Sequence, residues 1–227
     1  MNLITETLTN QLHRQLTEFP FHNLNLLNGV TAPVGGTCFD HALKLKYSLQ
    51  LDGFSAKLHE AEVCITGEMT HRLVKVEVDG SNIFLDTGTG WPTCYVIALD
   101  ACEQSYEIAG VKFQIVPQKR HILVRRYNGD KWLDMNRIPV EEQDETGILG
   151  RFNGRYKQKL PFSNELRLCW LDGQKFYRIA GNQLLTYELG KCVEQNNITP
   201  LEILRRIEKT VFPELIPDLE KYLEKYS

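Results

Sequence analysis

The chain of 227 residues is short of several things. It has no CxxC pair among its six cysteines, and their irregular spacing fits neither a disulfide framework nor a zinc site. It has no long apolar run. Tyr95 to Leu99 is one of the longest, far too short to span a bilayer. Positive charge is not in excess: net charge is −3 and the pI is near 6.1, which argues against a dedicated nucleic-acid binder, since such a protein must neutralise phosphates. The first residues, MNLITETLTNQLHRQL, lack a basic start followed by an apolar stretch, so no secretory signal is expected. These absences point to a reducing, cytoplasmic setting with no membrane and no metal, where thiols stay free. Hydrophobic residues at 42% and charged residues at 24% are what a folded globular protein carries.

The pattern along the chain divides it into three parts: 1–53, 54–160 and 161–227. In the first, Leu8, Leu12 and Leu16 recur every fourth residue as one stripe of a helix. Turn residues follow from Asn28 to Gly36, and a second helix starts near Cys38 with Ala42, Leu45 and Leu49 on one face. In the second part, short β-branched or aromatic runs at 71–78, 82–86, 93–99, 111–116 and 121–127 suggest a small barrel or curved sheet. Residues 140–160 read as polar and irregular, with a basic stretch of Arg151, Arg155, Lys157 and Lys159 best taken as a solvated loop. The third part has strand-like runs at 165–171, 175–179 and 184–188. It then has a helix start in which Thr199 caps, Pro200 takes the first turn and Glu202 completes a capping box.

Three residues could form a site. In GGTCFDH (35–41) two glycines allow a close backbone approach and Thr37 can cap the following helix. That places Cys38 in a first turn, where free N–H groups and the helix dipole favour a thiolate. The alternative is a small buried apolar cysteine. In THRLVKVEVDGSNIFLDTGTG (70–90), Asp79-Gly80 is a hairpin turn. It sets the register Val78 with Ser81, Val76 with Ile83 and Val74 with Leu85, which gathers the valines, Ile83 and Leu85 on one face. The other face carries His71, Leu73, Lys75, Phe84 and Asp86. His71 and Asp86 are then diagonal neighbours, within reach of a hydrogen bond that would fix the imidazole tautomer. The competing reading makes His71 a surface histidine and Asp86 a cap for the Thr87-Gly88 turn. That Cys38 packs against His71 is not visible in the sequence.

The ordered blocks PFHNL (20–24), GGTCFDH (35–41), TH-x-L (70–73) and LDTGTGWP (85–92) resemble those of the arylamine N-acetyltransferases, and LPFSNELRL (160–168) is similar to the start of that family's third domain. The resemblance implies an α+β fold: an N-terminal helical bundle, a central small β-barrel and a C-terminal α/β lid, around a cysteine-protease-like catalytic core. It also implies a Cys38-His71-Asp86 triad that takes an acyl group from acetyl-coenzyme A or another acyl-coenzyme A as a thioester and passes it to a small-molecule amine. Backbone N–H groups at Cys38 are expected to contribute to an oxyanion site. Thr66 and Gly67 fall near a coenzyme-contacting position of the family, and Phe21, Phe39 and Thr89 near its substrate pocket. A related variant is an amide synthase fed by an acyl carrier protein; a second class is a transglutaminase-like cysteine hydrolase. A third is a binding protein with a relic site.

The sequence departs from the family pattern at named places. Val34 stands at the arginine of the family's RGG and His22 at the glutamate of its PFENL, so both members of an ion-pair position are absent. Asp40 replaces a glutamate after the nucleophile. Thr89 replaces the phenylalanine of D-x-G-F-G and removes a stacking surface for an arylamine. The chain is shorter than is usual for the family, chiefly in its last third.

Overall fold

A computed structural model describes residues 3–98, 102–154, 163–188 and 191–226. Helix α1 (Leu3–Glu18) buries the Leu8, Leu12 and Leu16 stripe, as the fourfold spacing requires. A two-residue strand β1 (Phe21–His22) and a short helix α2 (Leu24–Asn28) lead to α3 (Cys38–Leu51), which starts after the Thr37 cap.

Eight antiparallel strands follow: β2 (Ser55–Val63), β3 (Glu68–Val78), β4 (Ser81–Asp86), β5 (Tyr95–Ala98), β6 (Gln104–Ile108), β7 (Val111–Pro117), β8 (His121–Tyr127) and β9 (Trp132–Pro139). They form one sheet in the order β5-β4-β3-β2-β9-β8-β7-β6. Ala61, Leu73, Phe84, Ile97, Ile115, Ile122, Val124 and Ile138 come from seven of these strands and meet in a single buried cluster. One sheet can bring such distant strands together on one face only by curling, so the sheet is the expected small barrel. Its outer face, with Leu58, Val74, Val76, Ile83 and Leu85, packs on α1 and α3. The β3–β4 register is the one the Asp79-Gly80 turn predicts: Val78 opposite Ser81, Val76 opposite Ile83, Val74 opposite Leu85. Both turn residues have positive φ, at 50° and 77°, as a two-residue hairpin turn demands.

Residues 145–153 form helix α4 (Glu145–Asn153), where the sequence suggested irregular chain. Asp144 caps it, accepting from the backbone N–H groups of Thr146 and Gly147 at 3.0 and 3.1 Å, and Ile148 is buried against the barrel's outer face. Arg155, Lys157 and Lys159 of the basic stretch lie outside the described residues.

The last part is a meander of β10 (Arg167–Asp172), β11 (Lys175–Ala180), β12 (Gln183–Glu188) and β13 (Lys191–Asn197), covered by α5 (Pro200–Ile207) and α6 (Ile216–Tyr226). Thr199 caps α5 with Glu202 reaching back to its N–H at 2.8 Å, the capping box read in the sequence. Strand β1 joins the open edge of this sheet, Phe21 opposite Cys169. The segment leading to Cys38 is thereby tied to the C-terminal sheet. Among the described residues no helix is long and apolar enough to cross a membrane.

Candidate active site

Three close fits place Cys38 at the start of α3. Gly36, at φ 148°, faces the Asp40 side chain, which leaves no room for a Cβ. Asp40 accepts from the Thr37 N–H at 2.9 Å and from the Asn25 side chain at 3.0 Å, closing the N-terminal cap around the first turn. Gly88 supplies the third fit. A Cβ there would stand 2.8 Å from the Cys38 Cα, so the loop after β4 touches the nucleophile's own backbone.

That loop is pinned from both sides. Asp86 Oδ1 accepts from the Gly88 N–H at 2.9 Å, and Asp86 Oδ2 accepts from His71 Nε2 at 2.7 Å. The two readings of Asp86, as turn cap and as histidine partner, are therefore both true, one per oxygen. Gln15 on α1 donates to Thr87 Oγ1 and to the His41 carbonyl, both at 2.8 Å, which ties the loop to the helices.

His71, Asp86 and Cys38 are all buried. Burial by itself would lower the imidazole pKa. It is outweighed by the Asp86 charge, by the hydrogen bond to Asp86 and by a hydrogen bond and charge interaction with Cys38, which together push His71 up to about 10. With Nε2 held by Asp86, Nδ1 is the ring nitrogen left for the sulfur. The Cys38 sulfur also lies 3.8 Å from the Thr70 carbonyl. Burial raises the thiols of Cys94 to about 12 and of Cys169 to about 11. All six cysteines are free.

A second histidine, packed on the same loop near Gly88, was not singled out in the sequence, although it closes the GGTCFDH block. His41 is buried with Nδ1 3.3 Å from Thr87 Oγ1 and its ring against Phe19 and Phe21. Burial lowers it to about 3, so it stays neutral and spaces the loop from the helix. Arg72, next to His71 on β3, is a buried cation. It pairs with Glu60 at 2.7 Å, its guanidinium carbon lies 4.6 Å from the Phe39 ring centroid, and its charge interacts with Cys38.

His22 and Val34, the two departures from the family's ion pair, meet each other. His22 Nε2 donates to the Val34 carbonyl at 2.7 Å, and its Nδ1 accepts from the Leu24 N–H at 3.3 Å. Burial lowers the His22 pKa, so a neutral imidazole with both nitrogens engaged replaces two buried charges.

Cys38 and His71 open onto a cavity of about 750 Å³. Phe21, Gly88, Thr89 and Trp91 line it, with Val63, Cys64 and Ile65 from the β2–β3 connection. Thr66 and Gly67 form the exposed turn just beyond and are not on its wall. Phe39 is also off the wall, its ring centroid 6.0 Å from that of Phe152. The Thr89 hydroxyl is used within the loop, accepting from the Trp91 N–H at 3.2 Å and bonding Thr93 Oγ1 at 3.1 Å.

A family model described as N-acetyltransferase matches residues 5–212. The chain belongs to this N-acetyltransferase family. No curated relative matches the sequence significantly. Solved structures similar to it are arylamine N-acetyltransferases. That of Mycobacterium marinum, in complex with CoA, superposes with a TM-score of 0.82 at 14% identity, covering 97% of this chain and 93% of that one. That of Nocardia farcinica gives 0.79 at 19% identity, covering 97% and 89%. The Bacillus cereus enzyme, described as having a Cys-His-Glu triad, gives 0.72 at 16% identity, covering 90% and 89%. At these identities the structures establish the fold. The family membership establishes the class of enzyme, an acyltransferase, as the four sequence blocks implied.

Proposed function

We propose that this N-acetyltransferase family member moves an acyl group from an acyl-coenzyme A, acetyl-coenzyme A foremost, to a small amine through an acyl-Cys38 intermediate. The single observation that carries the reading is the buried Asp86–His71 hydrogen bond, with Cys38 in hydrogen-bond and charge interaction with the same imidazole.

The chemistry runs in two halves. The Cys38 thiolate, paired with the His71 imidazolium, attacks the donor's thioester carbonyl. The C–S bond to coenzyme A breaks, and His71 Nδ1 gives its proton to the departing thiolate. The neutral imidazole that remains then accepts a proton from the incoming amine as its nitrogen bonds the acyl carbon. The C–S bond to Cys38 breaks and the thiolate–imidazolium pair is restored. Asp86 keeps the Nε2–H pointed at itself throughout, so Nδ1 always faces the sulfur. Backbone N–H groups in the first turn of α3 would stabilise the tetrahedral oxyanion. Coenzyme A as donor is supported by the fold, which the M. marinum enzyme shares in its CoA complex. Phe21 and Thr89 on the cavity wall shape the acceptor pocket, and Thr66-Gly67, on the turn just beyond it, is the candidate coenzyme contact. Six free cysteines support a cytoplasmic site of action.

Incubation with acetyl-coenzyme A followed by intact mass and peptide mapping tests the proposal. One acetyl group on the Cys38 peptide, absent from Cys38→Ser, is expected. No adduct on a Cys38 that still reacts with iodoacetamide would refute a coenzyme A donor and favour a carrier-protein thioester. Hydrolysis of the adduct faster than transfer to every amine tried would favour the hydrolase instead.

A further inference from the structure

Strands β10 and β11 form a wall with a cavity on each side. Cys169 and Arg178 face the Cys38 cavity. Their neighbours Trp170 and Tyr177 face the other way, as strand alternation requires, onto a second cavity of about 410 Å³ between these strands and α5. That volume suits a small molecule. The acyl-transfer reading makes no use of it.

The strand side of this cavity is an aromatic pair. Trp170 stands opposite Tyr177 in the strand register, and the two rings stack with centroids 4.8 Å apart at 13°. Trp170 is only 4% exposed, yet among the described residues its indole N–H has no acceptor. That nitrogen is not sealed from solvent, so it opens on the cavity that Trp170 lines. The result is a hydrogen-bond donor on a ring that cannot turn away. The charges around it divide into those already engaged and those not. Arg206 is bonded to Glu194 at 3.0 Å, and Glu202 closes the Thr199 cap at 2.8 Å. Arg205, Lys209 and Asp172 form no side-chain hydrogen bond and no ion pair among the described residues. Lys175, opposite Asp172 in the hairpin, is held by Glu188 at 3.2 Å. Cations near the end of a helix suit its dipole. That accounts for Arg205 and Lys209, but not for the open indole or for Asp172.

We infer that this second cavity binds a free α-amino acid with an aromatic side chain. The ligand's carboxylate accepts from the Trp170 indole N–H and meets Arg205 and Lys209. Its ammonium group faces Asp172, and its ring lies along the Trp170–Tyr177 wall. The scale agrees. Trp170 and Asp172 share one face of β10 two residues apart, about 7 Å along the strand. An α-amino acid has its two charges roughly 3 Å apart, so with a hydrogen bond of about 2.8 Å at each end it spans about 8 Å. A simple anion would leave Asp172 facing a like charge, and a simple amine would do the same to the two cations. A zwitterion satisfies both signs at once. The inference does not rest on the acyl-transfer reading, because the cavity lies on the far face of the sheet from Cys38.

The test is calorimetric titration of the full chain with L-phenylalanine, against 3-phenylpropionate, which lacks the ammonium, and phenethylamine, which lacks the carboxylate. L-phenylalanine should bind, and each of the other two should bind on the order of tenfold more weakly or worse. Trp170→Phe keeps the stack on Tyr177 and removes only the N–H; it should weaken L-phenylalanine on the order of tenfold or more. Arg205→Gln combined with Lys209→Gln, and Asp172→Asn alone, should each do the same. These three side chains are exposed, so the variants keep the test open even if Trp170→Phe folds poorly. No binding of L-phenylalanine to the wild type overturns the inference. Equal binding of 3-phenylpropionate overturns it too, since the site would then take any anion. Binding that none of the variants weakens places the ligand elsewhere and also overturns it.

Discussion

Replacing Gly88 by alanine tests how tightly the catalytic loop is fitted to the nucleophile. Gly88 is not in the left-handed region, so alanine costs little in backbone conformation. The cost is steric. The new methyl would stand 2.8 Å from the Cys38 Cα, 3.0 Å from its Cβ and 3.3 Å from the His41 Cβ. The first of these contacts is with backbone at the start of a capped helix, which has no rotamer to change. Relief therefore needs a shift of roughly half an ångström or more between the loop and α3, and overpacking of this kind costs about 1–3 kcal/mol. For a chain of this size that is a fall in Tm of about 3–9 °C. Asp86 is bonded to the Gly88 N–H, so the same shift moves the histidine's partner relative to the sulfur. A misplacement approaching 1 Å costs on the order of 100-fold in rate. The assay is the rate of Cys38 acetylation in a single turnover, with Tm measured in parallel. Gly150→Ala is the control: it lies in α4 with nothing within 4 Å of the added methyl and should be neutral or stabilising by up to about 1 kcal/mol. A Gly88→Ala protein with wild-type acetylation and melting would refute the close fit.

Four further outcomes follow from the same geometry. Asp86→Asn should keep the Gly88 N–H bond but lose the imidazolium's partner, lowering acetyl transfer by about 10³–10⁴-fold; near-normal turnover would remove Asp86 from the triad. Because the His71 pKa is raised, the pair's stabilisation is complete below the unfolded value near 6.5 and lost as pH rises through about 10. The stability gap between wild type and Asp86→Asn in urea should therefore be larger at pH 6 than at pH 10, and a gap independent of pH would contradict the shift. His22→Glu should bury a carboxylate opposite the Val34 carbonyl with no cation to meet it, costing about 3–5 kcal/mol, and adding Val34→Arg should recover much of that; equal melting of the two variants would contradict the substitution of a neutral bond for an ion pair. Thr89→Phe should widen the acceptor range towards apolar arylamines while lowering Tm through the lost Trp91 and Thr93 bonds, and an unchanged substrate profile would sink the pocket assignment.

The sequence made the β3–β4 hairpin legible because two independent constraints agree on it: the Asp79-Gly80 turn chemistry and the apolar alternation on both strands. The same agreement placed His71 near Asp86. The capping box at Thr199 was legible for a similar reason, three local signals in four residues. Helix α4 was not, since Gly147 and Gly150 erase its propensity and it is held by tertiary contacts: buried Ile148, Phe152 on Phe39, Arg151 with Glu60 and Glu145 with Lys46. Strand β2 was hidden by Lys57, His59, Glu60 and Glu62. All four carry polar groups, yet His59 and Glu60 are buried because His59 donates to the Pro139 carbonyl at 2.7 Å and Glu60 binds Arg72 and Arg151, each at 2.7 Å. Strand β13 is mostly exposed and polar, an edge with no pattern to read. The decisive contacts of the site, Gly88 with Cys38 and His22 with Val34, join chain segments by tertiary packing. No local rule announces such contacts.

The central claim is that an acyl group rests on Cys38 between donor and acceptor. Acetylating the protein with a stoichiometric amount of acetyl-coenzyme A, removing free coenzyme, and adding an amine in a rapid-quench mass measurement tests it directly. Loss of the acetyl group from the Cys38 peptide should match the appearance of N-acetyl product, at a rate no slower than kcat. An acetyl group that stays on Cys38 while steady-state transfer proceeds, or transfer that survives Cys38→Ser, would contradict the account.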